Sequence, residues 1–147
     1  MTKNLVVLLT AAAVLGAAGC SSSTTPEDLE SLVGSWSATE AMFTSAGDPG
    51  TSVEVIAEGT TMVLTLNDST FTLTITEPGE DPEVAEGTWS ASAEIITLDW
   101  TSGFSGETQF EYDLDGDTLT LSGGHVEFEF TPGSPEEAIL DMILVRL

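Results

Sequence analysis

Apolar and polar residues alternate along most of the chain beyond residue 60. From Thr70 to Thr76, every second residue is Phe, Leu or Ile, and the residues in the remaining positions are threonines. Because successive side chains of a strand point to opposite faces, this period of two predicts an antiparallel strand with one buried face. The same alternation recurs at residues 62–66, 95–100, 110–114, 118–121 and 125–130.

Weaker strand signals lie on either side of this region. Residues 36–43 and 53–58 predict two further strands. Residues 139–147 are apolar on both faces, which fits a buried closing strand or a short helix, and the strand is favoured. About nine or ten short strands separated by turns, such as the one at 67–69, predict a sandwich or a barrel. The short turns favour an up-and-down meander, and closing it would remove the exposed edges.

A short helix is predicted before the first strand. Thr25 can cap its start, Pro26 suits the first helical position, and Glu27 and Asp28 favour the positive end of the helix. Its apolar side would consist of Leu29, Leu32 and Val33. We expect Gly34 to end it.

The first twenty residues have the composition of an export signal. Lys3 precedes an apolar run at residues 5–18, which is short for a membrane span and fits the central region of a signal peptide. The small residues before Cys20 make this segment resemble the lipobox of bacterial lipoproteins, although Ala17 stands where that motif usually has Leu. The resemblance implies cleavage before Cys20 and attachment to its thiol of one lipid group that carries two fatty-acid chains, such as palmitate. The alternative is an ordinary secretory signal followed by a chance cysteine.

These observations divide the chain into three parts. Residues 1–19 are the expected lipoprotein signal peptide, and residues 20–31 are the lipidated cysteine, a polar tether and the start of the helix. Residues 32–147 are the expected barrel domain. The lipid on Cys20 would bind the protein to a membrane of the cell envelope. Because Ser21 rather than Asp follows Cys20, the resemblance favours the outer membrane if the cell is Gram-negative.

The net charge of the mature chain restricts its possible partners. All 25 acidic residues follow Cys20, and Arg146 is the one Lys or Arg beyond it, which gives a side-chain charge of −24 for residues 20–147. Such a surface repels nucleic acid, so we expect no nucleic-acid partner. The acids could bind cations or could be the general surface adaptation of a salt-adapted organism. Their spread along the whole chain favours the halophilic adaptation.

Residues 32–147 resemble the bacterial lipocalin-like lipoproteins. Gly34-Ser35-Trp36 after a short helix is similar to the G-x-W motif of lipocalins, and residues 87–121 are similar to the strands of these lipoproteins in "G-T-W", "I-T-L" and "Y-x-L-x-G-D-T-L-T-L". The resemblance implies an all-β, antiparallel up-and-down lipocalin-like β-barrel of about 8–10 strands that holds a small hydrophobic ligand in its mouth. It also implies that Arg146 lies across Trp36, whereas the alternative is a solvated terminal arginine.

The bulky inward positions are the candidate ligand-binding residues in the barrel interior. These are Trp36, Phe71, Trp89, Trp100, Phe110, Tyr112 and Phe128. A barrel of about eight strands can be filled by its side chains or can hold one small ligand, and composition does not choose between them. Two function classes therefore stay open: a ligand-binding module, and a structural or protein-interaction lipoprotein with a filled barrel.

Other candidate chemistry is weak. Asp113, Asp115 and Asp117 suggest calcium, but their spacing departs from an EF-hand loop and a hairpin turn is the better interpretation. His125 alternates with two glutamates along a flat strand, which makes a poor zinc cage. No nucleophile motif or phosphate-binding loop is present in the sequence. We therefore expect no enzymatic activity and no cofactor.

Overall fold

A computed structural model describes residues 26–147 of the protein, so the predicted signal peptide, Cys20 and Thr25 lie outside the described residues. The described chain forms one helix followed by nine strands. Their bounds are α1 Pro26–Leu32, β1 Gly34–Ser45, β2 Ser52–Glu54, β3 Thr61–Leu66, β4 Thr70–Thr76, β5 Glu83–Ala91, β6 Ile95–Ser102, β7 Gly106–Asp115, β8 Thr118–Thr131 and β9 Ser134–Arg146. Among residues 26–147, no helix has the length and apolar character that crossing a bilayer requires.

The strands form a closed antiparallel barrel. Strand β1 and strands β3 to β9 follow one another around the ring in chain order, and β9 pairs again with β1. This closing seam runs from the pair Trp36–Arg146 to the pair Ser45–Ala138. Strand β2 is short and pairs only with residues 42–44 of β1. The predicted all-β, up-and-down barrel is confirmed, with eight strands in the ring and the last segment as a closing strand.

Burial follows the predicted alternation. In β4, Phe71 and Leu73 are buried, whereas Thr72 and Thr74 are half-buried on the outer side. The other strands contribute their inward residues to one continuous apolar core. The hydrophobic effect therefore fixes which face of each strand points inward, because a shift by one residue would expose the whole apolar set.

Helix α1 covers one end of the barrel. Its start at Pro26 agrees with the prediction, and Leu32 at its end is fully buried. The indole N–H of Trp36 donates a hydrogen bond of 2.9 Å to the carbonyl of Leu32, and Trp36 is itself fully buried. The helix end and the first strand are therefore joined through the side chain of Trp36.

The prediction of a strand over residues 53–58 is wrong in its second half. Only Ser52–Glu54 is a strand, and residues 55–59 form a turn. The Glu54 carboxylate accepts hydrogen bonds from the backbone N–H of Ala41 and from two backbone N–H groups inside this turn. A side chain that satisfies the donors of a turn competes with ladder hydrogen bonds, and periodicity alone does not reveal this competition.

The two ends of the barrel differ. Successive connections of an up-and-down barrel alternate between its ends, so the turns at 67–69, 92–94 and 116–117 lie at the end that α1 covers. We call this the closed end. The connections at 46–60, 77–82, 103–105 and 132–133 lie at the opposite end. We call this the open end, and it contains the cavity described below.

Candidate ligand cavity

The open end of the barrel contains a cavity of about 580 Å³. Inward residues of strands from all sides of the ring form its apolar wall, including Phe43, Met62, Leu73, Trp100, Phe128 and Leu140. Small-molecule sites in proteins typically have volumes of about 300–1,000 Å³ and are mainly apolar. The cavity therefore has the size and the lining that a small apolar ligand requires.

Aromatic rings hold the shape of this wall. The rings of Phe43 and Phe128 stack with their centroids 4.1 Å apart and their planes at 20°. On another side of the cavity, the Trp100 ring makes edge contacts with Phe71 at 4.7 Å and with Phe104 at 4.8 Å. Contacts of this geometry stabilise a pair by about 0.5–1.5 kcal/mol beyond their buried area. These contacts hold the aromatic rings of the wall in fixed relative positions.

Trp100 presents an apolar surface to the cavity because its one polar atom is already paired. Its indole N–H donates a hydrogen bond of 3.0 Å to the hydroxyl of Thr108, which is buried and does not line the cavity. The Thr108 hydroxyl in turn lies 3.5 Å from the carbonyl oxygen of His125. These contacts fix the orientation of the indole across three neighbouring strands.

Thr60 is the buried polar residue of the cavity lining. It is 9% exposed, and its backbone N–H donates to the carbonyl of Val55 at 3.1 Å. Its hydroxyl has no hydrogen-bond partner among residues 26–147. A buried hydroxyl without a partner is unfavourable, so a polar group of a bound molecule would gain from meeting it.

The closed half of the barrel is filled by side chains. Phe110 is fully buried, and its ring occupies the space beside Gly124. A Cβ atom at Gly124 would lie 2.0 Å from Cε1 of Phe110, so only glycine permits this packing. Phe71 and Trp36 are also almost fully buried. The barrel is therefore filled at one end and hollow at the other.

The predicted interior residues divide between these two halves. Trp100 and Phe128 line the cavity of the open end. Phe71 contacts Trp100 but does not line the cavity, and Trp36 and Phe110 belong to the filled core. The other two predicted residues lie near the closed end. The Trp89 indole N–H donates to the carbonyl of Asn67 at 2.6 Å, and the Tyr112 hydroxyl donates to the carbonyl of Ser92 at 2.9 Å.

Several cavity residues escaped the sequence prediction, which singled out mainly large aromatic residues. Phe43, Met62, Leu73, Ile75 and Leu140 all line the cavity. The available signal was the alternation of apolar and polar residues, which identifies these residues as inward-facing. Their height along the barrel depends on the strand register, which a single sequence does not show.

A smaller pocket of about 270 Å³ lies at the closed end beside helix α1. Leu29 of the helix and Val33 directly after it line one side, and Trp89 and Ala91 of the barrel line the other. Its volume is below the usual range for small-molecule sites. It is best described as the gap between the helix and the barrel.

Glu54 supports the loop that carries Val55 and Thr60 to the cavity. Its pKa is lowered, first by the hydrogen bond from the backbone N–H of Ala41 and further by those of Ala57 and Ile56, while burial acts in the opposite direction. Hydrogen bonds to the charged form stabilise it, so the carboxylate is the form that holds this turn. One wall of the cavity thus depends on an ionised side chain.

Arg146 lies across Trp36 at the closed end. Its Cζ is 4.2 Å from the centroid of the indole ring, and the predicted stacking contact is confirmed. Its guanidinium also donates to the carbonyls of Val33, at 3.1 Å, and Ser31. An ion pair of 3.5 Å to the exposed Asp117 completes its contacts. The arginine therefore joins the last strand, the first strand and the end of helix α1.

The candidate metal ligands Asp113, Asp115 and Asp117 belong to a hairpin. Strands β7 and β8 pair as far as Asp115 with Thr118, and Gly116 has φ +59° in the turn between them. Asp117 pairs with Arg146, and Asp113 is exposed on β7. His125, on β8, has Nδ1 2.6 Å from Oε1 of Glu137 on β9. Within residues 26–147, no three His, Cys, Asp or Glu side chains are grouped to hold a metal ion.

Comparison with known proteins adds no family to these observations. No known protein family, curated protein or solved structure gives a significant match to the chain. The resemblance of residues 32–147 to lipocalin-like lipoproteins therefore stays a prediction. Any proposal about function rests on the cavity and on the sequence signals.

Proposed function

We propose that this protein is a lipid-anchored protein of the cell envelope whose barrel binds a small hydrophobic ligand at its open end. The observation that carries the binding function is the apolar cavity of about 580 Å³. A filled structural barrel gains stability from side chains packed throughout its interior, since an empty apolar space forfeits dispersion contacts. A hollow half with an aromatic wall favours a binding function over a purely structural one.

The anchoring part of the proposal rests on the sequence around Cys20. Two acyl chains on that residue would hold the protein firmly, since each buried methylene contributes about 0.8 kcal/mol. The polar residues 21–25 would join this anchor to helix α1. The cavity opens at the end of the barrel opposite the one that helix α1 covers, which would leave the opening free in an anchored protein.

A fluorescent probe tests the binding function directly. We expect the neutral fluorophore N-phenyl-1-naphthylamine to bind in the folded barrel of residues 26–147. Binding should enhance the emission of the fluorophore and raise the Tm of the protein. Val126 is half-buried on β8 and lines the cavity, so Val126→Trp should fill part of the space and weaken probe binding at least about tenfold. Val84 is 50% exposed on β5 and does not line the cavity, so Val84→Trp is the matched control.

The alternative of a structural lipoprotein gives a different result. If the fluorophore does not bind, or if Val126→Trp and Val84→Trp bind it equally well, the cavity is not a ligand site and the structural alternative is favoured. Native mass spectrometry of the delipidated protein purified from its own envelope would then show the barrel without a bound small molecule. A co-purifying hydrophobic molecule that Val126→Trp excludes would identify the ligand.

A further inference from the structure

We propose that the cavity selects hydrophobic ligands that carry a positive charge, such as a protonated long-chain amine. This inference rests on the proposed binding function and names the chemical class of the ligand. It follows from the charges at the cavity opening, from one polar residue inside it, and from the position of the single arginine.

Four glutamates line the cavity together with its apolar residues. They are Glu77, Glu83, Glu127 and Glu129. The Glu129 carboxylate accepts a hydrogen bond of 2.9 Å from the backbone N–H of Gly133 in the β8–β9 turn. The side chains of the other three have no hydrogen bond or ion pair within residues 26–147. The charge of these three carboxylates is therefore not neutralised by any side chain within residues 26–147.

The strand order places these charges on opposite sides of the opening. Glu77 directly follows β4, and Glu83 is the first residue of β5, whereas Glu127 and Glu129 lie on β8. Strands β4 and β8 are separated by three strands in either direction around the ring of eight. A molecule that enters the cavity thus has carboxylates on both sides of it.

The interior suits the remaining parts of such a ligand. The hydroxyl of Thr60 is buried, lacks a partner and can accept a hydrogen bond from an ammonium N–H. The rings of Phe43, Trp100, Phe104 and Phe128 line the same space, and the face of an aromatic ring attracts cations within about 6 Å. An apolar chain bearing a cationic group can therefore use both the walls and the polar sites.

Within residues 26–147, no basic side chain lies at this end to pair with an anionic ligand. Arg146, the one arginine or lysine of the described chain, lies at the closed end over Trp36. His125 does not line the cavity, and its ring pairs with Glu137. A fatty acid would bring its carboxylate to an opening that holds four carboxylates and no cation. Repulsion between the carboxylate of the fatty acid and these glutamates is weakly screened in a partly enclosed space. Binding of a fatty acid is therefore disfavoured.

Three probes with the same twelve-carbon chain test the selection: dodecylamine, which is protonated at neutral pH, dodecanol and laurate. Each should be titrated against the full mature chain loaded with N-phenyl-1-naphthylamine, below its micelle concentration and at about 0.15 M NaCl, where the Debye length is about 8 Å. We expect the cation to displace the fluorophore at a concentration at least about tenfold lower than dodecanol, and laurate to be the weakest of the three.

Charge-neutralising variants separate the opening from the general acidity of the surface. The open-end variant combines Glu77→Gln, Glu83→Gln, Glu127→Gln and Glu129→Gln. The matched control changes four exposed acids nearer the closed end, one in the β5–β6 turn and three on β7: Glu94→Gln, Glu111→Gln, Asp113→Asn and Asp115→Asn. The cation preference should fall to within about twofold in the open-end variant and persist in the control. If the fourfold variant does not fold, the pair Glu77→Gln and Glu83→Gln should show a partial loss.

The outcomes distinguish this inference from the binding function beneath it. If the neutral fluorophore and dodecanol bind but the cation has no advantage, the charge selection is wrong and the binding function stands. If both fourfold variants lose the cation preference equally, the effect belongs to the overall charge, and the selection by the opening is again wrong. If none of the three probes nor the fluorophore binds, both proposals fail.

Discussion

The guanidinium of Arg146 lies over the indole of Trp36, with 4.2 Å between Cζ and the ring centroid. The two residues are also paired across the seam that closes the barrel, since β9 meets β1 at this position. The same guanidinium donates to two carbonyls at the end of helix α1, and the Trp36 indole donates to a third. One pair of side chains thus joins the seam and the helix that covers the closed end.

Replacing Arg146 tests this junction. A guanidinium over an indole stabilises by about 0.5–2 kcal/mol, depending on exposure. We expect Arg146→Lys to lower the free energy of unfolding by more than about 1 kcal/mol, because Lys keeps the charge but loses the planar group and the hydrogen-bonding fork. Chemical denaturation measures this, and Trp36→Leu should remove most of the difference in a double-mutant cycle.

Asp117→Asn provides the control for the ion pair alone. Asp117 is 86% exposed, so its pair with Arg146 should contribute less than about 1 kcal/mol. If Arg146→Lys and Arg146→Leu both stay within about 0.5 kcal/mol of the wild type, the stacked arrangement contributes nothing to stability.

Gly34 is expected to be irreplaceable beside Arg146. Its φ is +143°, and a Cβ atom there would lie 2.7 Å from Nη1 of Arg146. Gly34→Ala should therefore lower the free energy of unfolding by more than about 2 kcal/mol, through backbone strain and displacement of the guanidinium. Gly133→Ala is the control, because Gly133 has φ +78° but open space around it. Equal losses for the two variants would show that contact with Arg146 plays no part.

The turn that Glu54 stabilises should respond to acid. The folded-state pKa of Glu54 is lower than its ordinary value, so its stabilisation is present above about pH 4.3 and is lost as the pH falls through the lower folded value. At pH 7, Glu54→Gln should lower the free energy of unfolding by up to about 1 kcal/mol, since the side chain is partly solvated. The difference from the wild type should shrink below about pH 4.

Thermal unfolding across this pH range measures the effect of Glu54. Glu58→Gln removes an exposed charge from the same loop and serves as the matched control. A constant difference between Glu54→Gln and the wild type from pH 7 to pH 3 would contradict the role of the ionised carboxylate.

Salt should stabilise the fold as a whole. Residues 20–147 carry a side-chain charge of −24, and like charges repel most strongly in the compact state. The Debye length falls from about 30 Å at 0.01 M salt to about 3 Å at 1 M. We expect the Tm to rise across this range of NaCl concentrations, and less steeply after four exposed acids are neutralised. A Tm that does not change with salt would contradict the interpretation of the acidic surface as a halophilic adaptation.

The anchor is tested at Cys20. Cys20→Ser removes the thiol that acylation requires, so the protein should lose incorporation of labelled palmitate and leave the membrane fraction. Ser22→Ala keeps the cysteine and should behave as the wild type. A Cys20→Ser protein that is still cleaved and stays in the membrane fraction in high salt would show that the lipoprotein prediction is wrong.

The sequence by itself determined the strands and their inner faces. The alternation of threonine with large apolar residues at 70–76 leaves only one way to bury the apolar side, and the structure shows that side buried. The short turns between strands determined the up-and-down order in the same manner. These features depend on neighbours in the sequence, so a single chain is sufficient to reveal them.

Only the tertiary structure decided which part of the interior is hollow. Phe110 and Trp100 are both inward aromatic residues, but Phe110 packs against Gly124, whereas Trp100 lines the cavity. The turn after Glu54 also depends on a backbone N–H thirteen residues earlier in the chain. Strand register and the volumes of distant side chains set three features of the interior. These are the height of each residue along the barrel, the contacts across the ring and the filling of one half. The local pattern of one sequence does not contain these quantities.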